Sequence, residues 1–323
     1  MNILVFGKNG QLGKAFKSVF DASKLGELHR ITYAGRTECD LANSDTVAKL
    51  LDQIKPNVII NAAAYTAVDK AETEVDLAYA INAKGPEVMA LYAKHRGATF
   101  LHYSTDYVFD GSKKTAYVES DVRNPLAIYG KSKAAGEETI EAAFEDSKSS
   151  AGRYAIFRTS WVYGEGGNFI RTILRLAKER ETLKVIADQY GAPTSAAWLA
   201  EVSLALALDE QHQLRPFQSG IYHAVPQGET TWHALAYYAV QVAIEAGAGL
   251  KLRPEAIAAI PAAEYPLPAP RPMNSRMARS VLEAALTNSL GGSSNMPKSQ
   301  LLEQSWESQV AAYVQDLVHR KLI

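Results

Sequence analysis

Cysteine is almost missing from this chain. Cys39 stands alone among 323 residues, which excludes an internal disulfide and any zinc site built from several thiolates. Such sparing use fits a reducing compartment, and a cytoplasmic protein is expected. No sign of charge dominates, since 34 Lys and Arg against 35 Asp and Glu leave a net −1. Neither nucleic acid nor an anionic membrane is therefore recruited by the net field. No apolar run reaches the roughly 18 residues that a membrane span requires, and the opening residues lack the basic, apolar and small-residue regions of a signal peptide. With 47% hydrophobic and 21% charged residues the composition is that of a globular protein, which excludes disorder, coiled coil and collagen for the chain as a whole. The length suits one large or two small domains.

What is present alternates. Short apolar runs at residues 2–6, 30–33, 58–61, 99–103 and 154–158 read as buried strands, and helical patterns at 46–54, 76–95 and 129–144 lie between them. Phe16 and Phe20, spaced i, i+4, mark a helix after the first strand. This rhythm predicts an α/β fold, a Rossmann-type doubly wound parallel sheet. Past about residue 165 the rhythm weakens to helices at 168–180, 196–208 and 231–246, a proline-rich loop at 261–272 and an amphipathic stretch at 301–317. The expected organisation is a nucleotide-binding domain at 1–165 and a smaller substrate-binding part at 166–323, with segments of the latter returning to the sheet.

Three motifs carry chemistry. Gly7, Gly10 and Gly13 form a GxxGxxG turn between the first strand and first helix, where glycines let the backbone approach a pyrophosphate and the helix N-terminus offers free N–H groups. The second strand lacks the acid that usually binds a ribose hydroxyl and ends at Arg36, which suits a 2′-phosphate and favours NADPH over NADH. Asp40 and Leu41 follow as adenine contacts, unless Asp40 merely caps the next helix. Tyr129 and Lys133 share one helix face, where an ammonium is expected to draw the tyrosine towards a working pKa. Thr105, or Ser104, ends the fourth strand at the edge where open sheets bind ligands, placed to hold the oxygen that Tyr129 protonates.

Together these motifs resemble the extended short-chain dehydrogenase/reductases. Residues 61–72 (NAAAYTAVDKAE), 104–111 (STDYVFDG), 158–163 (RTSWVY), 188–194 (DQYGAPT), 220–223 (GIYH) and 271–276 (RPMNSR) are similar to the dTDP-4-dehydrorhamnose reductase family within them. The resemblance implies NAD(P)H-dependent reduction of the C4 ketone of dTDP-4-dehydro-L-rhamnose, the last step in making dTDP-L-rhamnose. A reductase or epimerase of another nucleotide-activated 4-keto-6-deoxysugar is the alternative. Thr105, Tyr129 and Lys133 would be catalytic. Gly7, Gly10, Gln11, Leu12, Gly13, Arg36, Asp40, Leu41, Ala62, Ala63, Ala64, Tyr65, Tyr103, Tyr129 and Lys133 would hold the cofactor. Val68, Thr105, Asp106, Trp161, Arg271 and Asn274 would meet the nucleotide-sugar. Some relatives carry an acid after the glycine turn that serves an intersubunit magnesium site. Here Lys14, Ala15, Phe16 and Lys17 occupy that stretch, so no metal and a monomer or weak homodimer are expected.

The remaining candidates read as structural. Glu229 and His233 lack a third ligand, His102 is a satisfied interior or sheet-edge residue, and His223 is a strand residue with the cleft as its alternative. Lys113 and Lys114 read as a solvated loop, and the pair Tyr237 and Tyr238 as core and rim of a helix rather than a base-stacking platform. The stretches at 21–26, 143–152 and 287–299 read as surface insertions.

Overall fold

The computed structural model describes all residues except 24, 146–151 and 288–297, and the backbone alone of 298 and 299. Six strands form the main sheet: β1 (Asn2–Phe6), β2 (Arg30–Ala34), β3 (Val58–Asn61), β4 (Thr99–Thr105), β5 (Arg153–Thr159) and β6 (Gly220–His223). Their order is β6-β5-β4-β3-β1-β2, with every pair parallel. From β1 the chain first builds outward to β2 and then returns to the other side at β3. Such a reversal opens a crevice beyond the carboxyl ends of β1 and β3.

The pleat explains the layers. Ile3 and Val5 face one side of the sheet, Leu4 and Phe6 the other. The first side packs on α1 (Gln11–Ala22), through Phe16 and Phe20, and on α6 (Ala196–Ala207), through Trp198, Leu199 and Val202. Burying each such phenyl ring contributes roughly 1.5–3 kcal/mol. The second side is covered by α2 (Ser44–Ile54), α3 (Gly85–Arg96) and α4 (Ile128–Glu145). Another core joins α5 (Phe169–Glu179), α7 (Trp232–Glu245) and α8 (Trp306–His319) to a parallel strand pair, Leu183–Ile186 with Ile257–Ile260. Residues beyond 165 thus build this core and also supply α6 and β6 to the main sheet. No described helix is long and apolar enough to cross a membrane.

Three expected elements differ. The helix at 76–95 is interrupted by a π-turn, Ala80–Lys84, which turns Asn82 inward. Its amide accepts from Tyr65 N–H at 2.8 Å and donates to the Ser132 hydroxyl at 3.0 Å, satisfying groups that a regular helix would strand. The final amphipathic stretch breaks into Lys298–Glu303 and α8, because Ser305 caps α8 and Trp306 N–H donates to Gln227 C=O at 3.0 Å. Asn43, not Asp40, caps α2, accepting from Asp45 and Thr46 N–H. The proline-rich segment is a loop with one 3-10 turn, Ala262–Glu264. Most of the expected insertions at 143–152 and 287–299 lies outside the described residues.

Candidate active site

A cleft of about 690 Å³ opens at the carboxyl edge of the sheet, within the size range of small-molecule and cofactor sites. Its floor is the glycine turn. Gly7 adopts φ +86°, and a Cβ there would lie 2.7 Å from the Ala62 backbone. A Cβ on Gly13 would lie 2.1 Å from Gly7 C=O, so Gly13 seats α1 against the turn rather than lining the cleft. Gly10 caps α1 without a side chain, and no acid occupies the first turn. The positive helix end therefore faces the cleft unmatched. Buried polar atoms left without partners, Gln11 Oε1 and Thr159 Oγ1, belong to cleft-lining residues. These groups fit an elongated anionic cofactor.

One end of the cleft lies at β2. Arg36 lines it with its side chain 77% exposed and only a 3.8 Å contact to Asp40. An acid missed in the sequence reading, Glu38, sits beside the turn, where Lys8 at 2.6 Å and Gly35 N–H at 2.8 Å occupy it and hold it down to about 2. Asp40 is not among the lining residues and accepts from Ala42 N–H, and Leu41 is buried in the core. Ala62, Ala63 and Ala64 line the wall after β3. Tyr65 does not, because its N–H is taken by Asn82 and its hydroxyl donates to Glu74 at 2.7 Å.

At the other end β4 delivers Thr105 and Asp106 while the first turn of α4 delivers Tyr129, and all three line the cleft with Lys133. Thr105 Oγ donates to Asp106 Oδ1 at 2.8 Å and accepts from Tyr107 N–H at 3.2 Å. Burial raises Tyr129 to about 12, with the Thr105 hydrogen bond opposing and the Asp106 charge adding. Burial likewise raises Asp106 to about 6, partly offset by the Ser275 and Thr105 hydroxyls.

Lys133 corrects one expectation. Its Nζ donates to Tyr103 C=O at 2.5 Å and contacts His102 Nε2 at 3.3 Å, on β4 rather than at the Tyr129 hydroxyl. Tyr129 accordingly stays protonated, and burial lowers Lys133 itself to about 8 against the opposing Glu137 charge. Tyr103 offers its backbone here, because its own hydroxyl donates to Ser203 on the far face. Glu137, one turn beyond Lys133 and missed from sequence, is fully buried. It is gripped by Arg158 at 2.7 Å and Arg123 at 2.6 Å.

Trp161 lines the cleft after β5 with a left-handed φ of 49°, and Ser160, Val162, Glu165 and Leu199 join it unforeseen. Val68, Arg271 and Asn274 are not among the residues lining the cleft. Arg271 is paired to Asp69 at 2.6 Å next to Tyr107, and the Asn274 amide donates to Lys113 and Thr115 C=O. His223 is enclosed away from the cleft and kept neutral by burial, at about 3. Lys113 is not freely solvated, since it pairs with Asp121 at 2.5 Å. Glu229 binds Arg276 while His233 binds Ile257 C=O. Among the described residues, no group of three His, Cys, Asp or Glu is placed to hold a metal.

A family model described as "RmlD substrate binding domain" matches residues 1–294. A dTDP-4-dehydrorhamnose reductase of Salmonella typhimurium is 44% identical over 282 residues, 86% of this chain and 89% of that one. The crystal structure of a dTDP-4-dehydrorhamnose reductase from Clostridium acetobutylicum superposes with a TM-score of 0.82 at 34% identity, covering 99% of this chain and 100% of that one. The Bacillus anthracis dTDP-4-dehydrorhamnose reductase, solved in complex with NADP, gives a TM-score of 0.77 at 32% identity, covering 98% and 99%.

Proposed function

Because this chain belongs to the RmlD substrate binding domain family, we propose that it is an NADPH-dependent reductase of dTDP-4-dehydro-L-rhamnose, producing dTDP-L-rhamnose. The observation that carries the reading is that Thr105, its hydroxyl bonded to the Asp106 carboxyl, lines one end of a glycine-floored cleft together with Tyr129 and Lys133. Relatives named for this activity at 44% identity, and the Bacillus anthracis structure with NADP, support it.

When bound, a reduced nicotinamide supplies hydride. The chain's own residues do the rest. Gly7, Gly10, Gln11 and Leu12 cradle the diphosphate on the positive end of α1, Arg36 meets a 2′-phosphate, and Ala62–Ala64 form the wall between. Thr105 orients the C4 oxygen. Tyr129, protonated at neutral pH, gives that oxygen its proton as negative charge develops, because an alkoxide is a stronger base than a phenolate. Lys133 keeps its ammonium below about pH 8 and, fixed on β4, offers a remaining donor to the cofactor's ribose. Asp106 and Trp161 bound the sugar, with Val68, Arg271 and Asn274 framing them. The enzyme works in the cytoplasm as a monomer or weak homodimer.

The test is loss of reduced-nicotinamide absorbance with dTDP-4-dehydro-L-rhamnose, comparing NADPH with NADH and wild type with Tyr129→Phe. Turnover faster with NADPH is expected, and the variant should lose roughly 10²–10⁴ in kcat while binding cofactor within twofold of wild type. Absence of wild-type turnover, with cofactor still bound, would move the reading to another nucleotide-sugar. A variant that retains most activity would remove Tyr129 as the acid.

A further inference from the structure

Trp161 is a backbone outlier. Its φ of 49° places a bulky side chain in the left-handed region, where only surrounding structure keeps it. What keeps it is visible. The indole of Trp232 lies on that of Trp161 with centroids 3.7 Å apart and planes 17° from parallel. Phe169 braces Trp232 in turn at 4.6 Å. On the benzene side of Trp161, Gly191 approaches so closely that a Cβ there would stand 2.7 Å from Cε2 and Cζ2. Trp161 C=O accepts from Thr194 N–H at 3.4 Å, beside the short pairing of Val162–Tyr163 with Thr194–Ser195.

The clamp is one built unit. Thr230 and Thr231 pair antiparallel with Gly191 and Tyr190. Thr231 then caps α7 by accepting from Ala234 N–H at 3.2 Å, so Trp232 begins the helix beside the strand that carries Gly191. Tyr190 also exchanges hydrogen bonds with the segment around Asn274, donating to Met273 C=O at 3.0 Å and accepting from Ser275 N–H at 2.7 Å. Trp161 and Trp232 both pack on the second core, whereas the glycine turn is built on the sheet. Trp161 lines the cleft and Trp232 does not, so Trp232 acts only through its neighbour.

We propose that Trp232 is a positioning residue for the nucleotide-sugar: stacked on Trp161 against Gly191, it fixes that ring as a rigid wall of the substrate end of the cleft. The inference rests on the reductase reading above. An unbraced Trp161 has an easier backbone conformation to relax into, and relaxation removes the wall before any ligand arrives. Binding then must restore it, which weakens affinity for the ligand that touches it and for no other.

The experiment uses the full chain. Trp232→Ala should raise KM for the nucleotide-sugar about tenfold, about 1.4 kcal/mol of binding, with KM for NADPH within twofold. Gly191→Ala, which drives a methyl into the Trp161 ring, should do the same without touching Trp232. Trp232→Phe keeps an aromatic brace and should restore most of the affinity. Circular dichroism supplies an independent signature, because two stacked indoles give an exciton couplet that both Trp232 variants abolish while only the alanine loses affinity. Calorimetric binding of dTDP-L-rhamnose to the NADP-loaded protein separates the two readings. Wild type that binds it, with Trp232→Ala equal within twofold, would overturn the clamp alone. Wild type that binds no nucleotide-sugar would overturn the clamp and the reductase reading together, and a rise confined to the NADPH KM would place Trp161 on the cofactor.

Discussion

Asp106, placed against the sugar in the proposed reading, shows what a buried acid does to the fold that carries it. It is 2% exposed, and burial lifts its carboxyl from 3.8 to about 6. An acid whose folded value lies above its unfolded one binds its proton more tightly when folded. Its contribution to stability is therefore complete below about pH 4 and lost as pH rises through about 6. At neutral pH the chain holds a carboxylate that burial disfavours. Asp106→Asn should raise the melting temperature at neutral pH, by the equivalent of up to about 3 kcal/mol, and that gain should vanish below about pH 4. The same variant should lose kcat/KM for the nucleotide-sugar. Thermal melts at the two pH values decide it, and an equal gain at both would show that the charge is not the cause. Lys133 repeats the pattern with opposite sign, its ammonium disfavoured by the same enclosure. A site so arranged trades stability for reactive groups held dry.

Helix α4 carries the next scale of organisation. Tyr129, Lys133 and Glu137 recur every four residues and so share one face. The first meets the cleft, the second β4, and the third the buried Arg158 and the part-exposed Arg123. Glu137→Gln would leave Arg158, 1% exposed, without its counter-charge, and removing one partner of a buried pair costs about 3–5 kcal/mol. Urea unfolding should show that loss, and a midpoint close to wild type would mean that water or Glu119 takes over the guanidinium. Only part of this element was legible beforehand. The Tyr129–Lys133 spacing announced the face, as the apolar runs announced β1 to β5, because local periodicity records both. Glu137 carried no signal, since its partners lie on β5 and in the loop before α4, and distant pairings leave no mark in spacing. The π-turn at Ala80–Lys84 was hidden for the same reason, being set by Asn82 reaching Tyr65 and Ser132. Gly13 was read as a phosphate contact when its packing on Gly7 C=O explains it, because glycine spacing does not distinguish ligand approach from helix approach.

Across the whole molecule the chain crosses between its cores, and the consequence is testable. A division at 165/166 suggests an N-terminal unit able to stand alone. The main sheet argues otherwise. One of its two faces, with Val5, Ile60, Leu101 and Phe157, is roofed partly by Trp198, Leu199, Val202 and Leu206 of α6. Strand β5 is flanked by β6, through the pairing of Ala155 with Gly220 on to Arg158 with His223. A fragment of residues 1–165 would lose that roof and turn β5 into an apolar open edge, the arrangement most prone to pair with other chains. We expect the fragment to aggregate or to lack dispersed amide resonances and near-ultraviolet dichroism, whereas the full chain unfolds from a defined native state. A fragment that gives a dispersed spectrum and binds NADPH would show that α1 to α4 suffice to hold the sheet. The expected failure has a functional side. In sequence α6 lies between Trp161 and the Trp232 helix, so on the proposed reading the chain passes from the sugar end of the cleft back to the main sheet and out again. Relative motion of the two ends would then have to move α6 and β6 against the close-packed sheet they complete, which favours a site formed in advance over one assembled by domain closure.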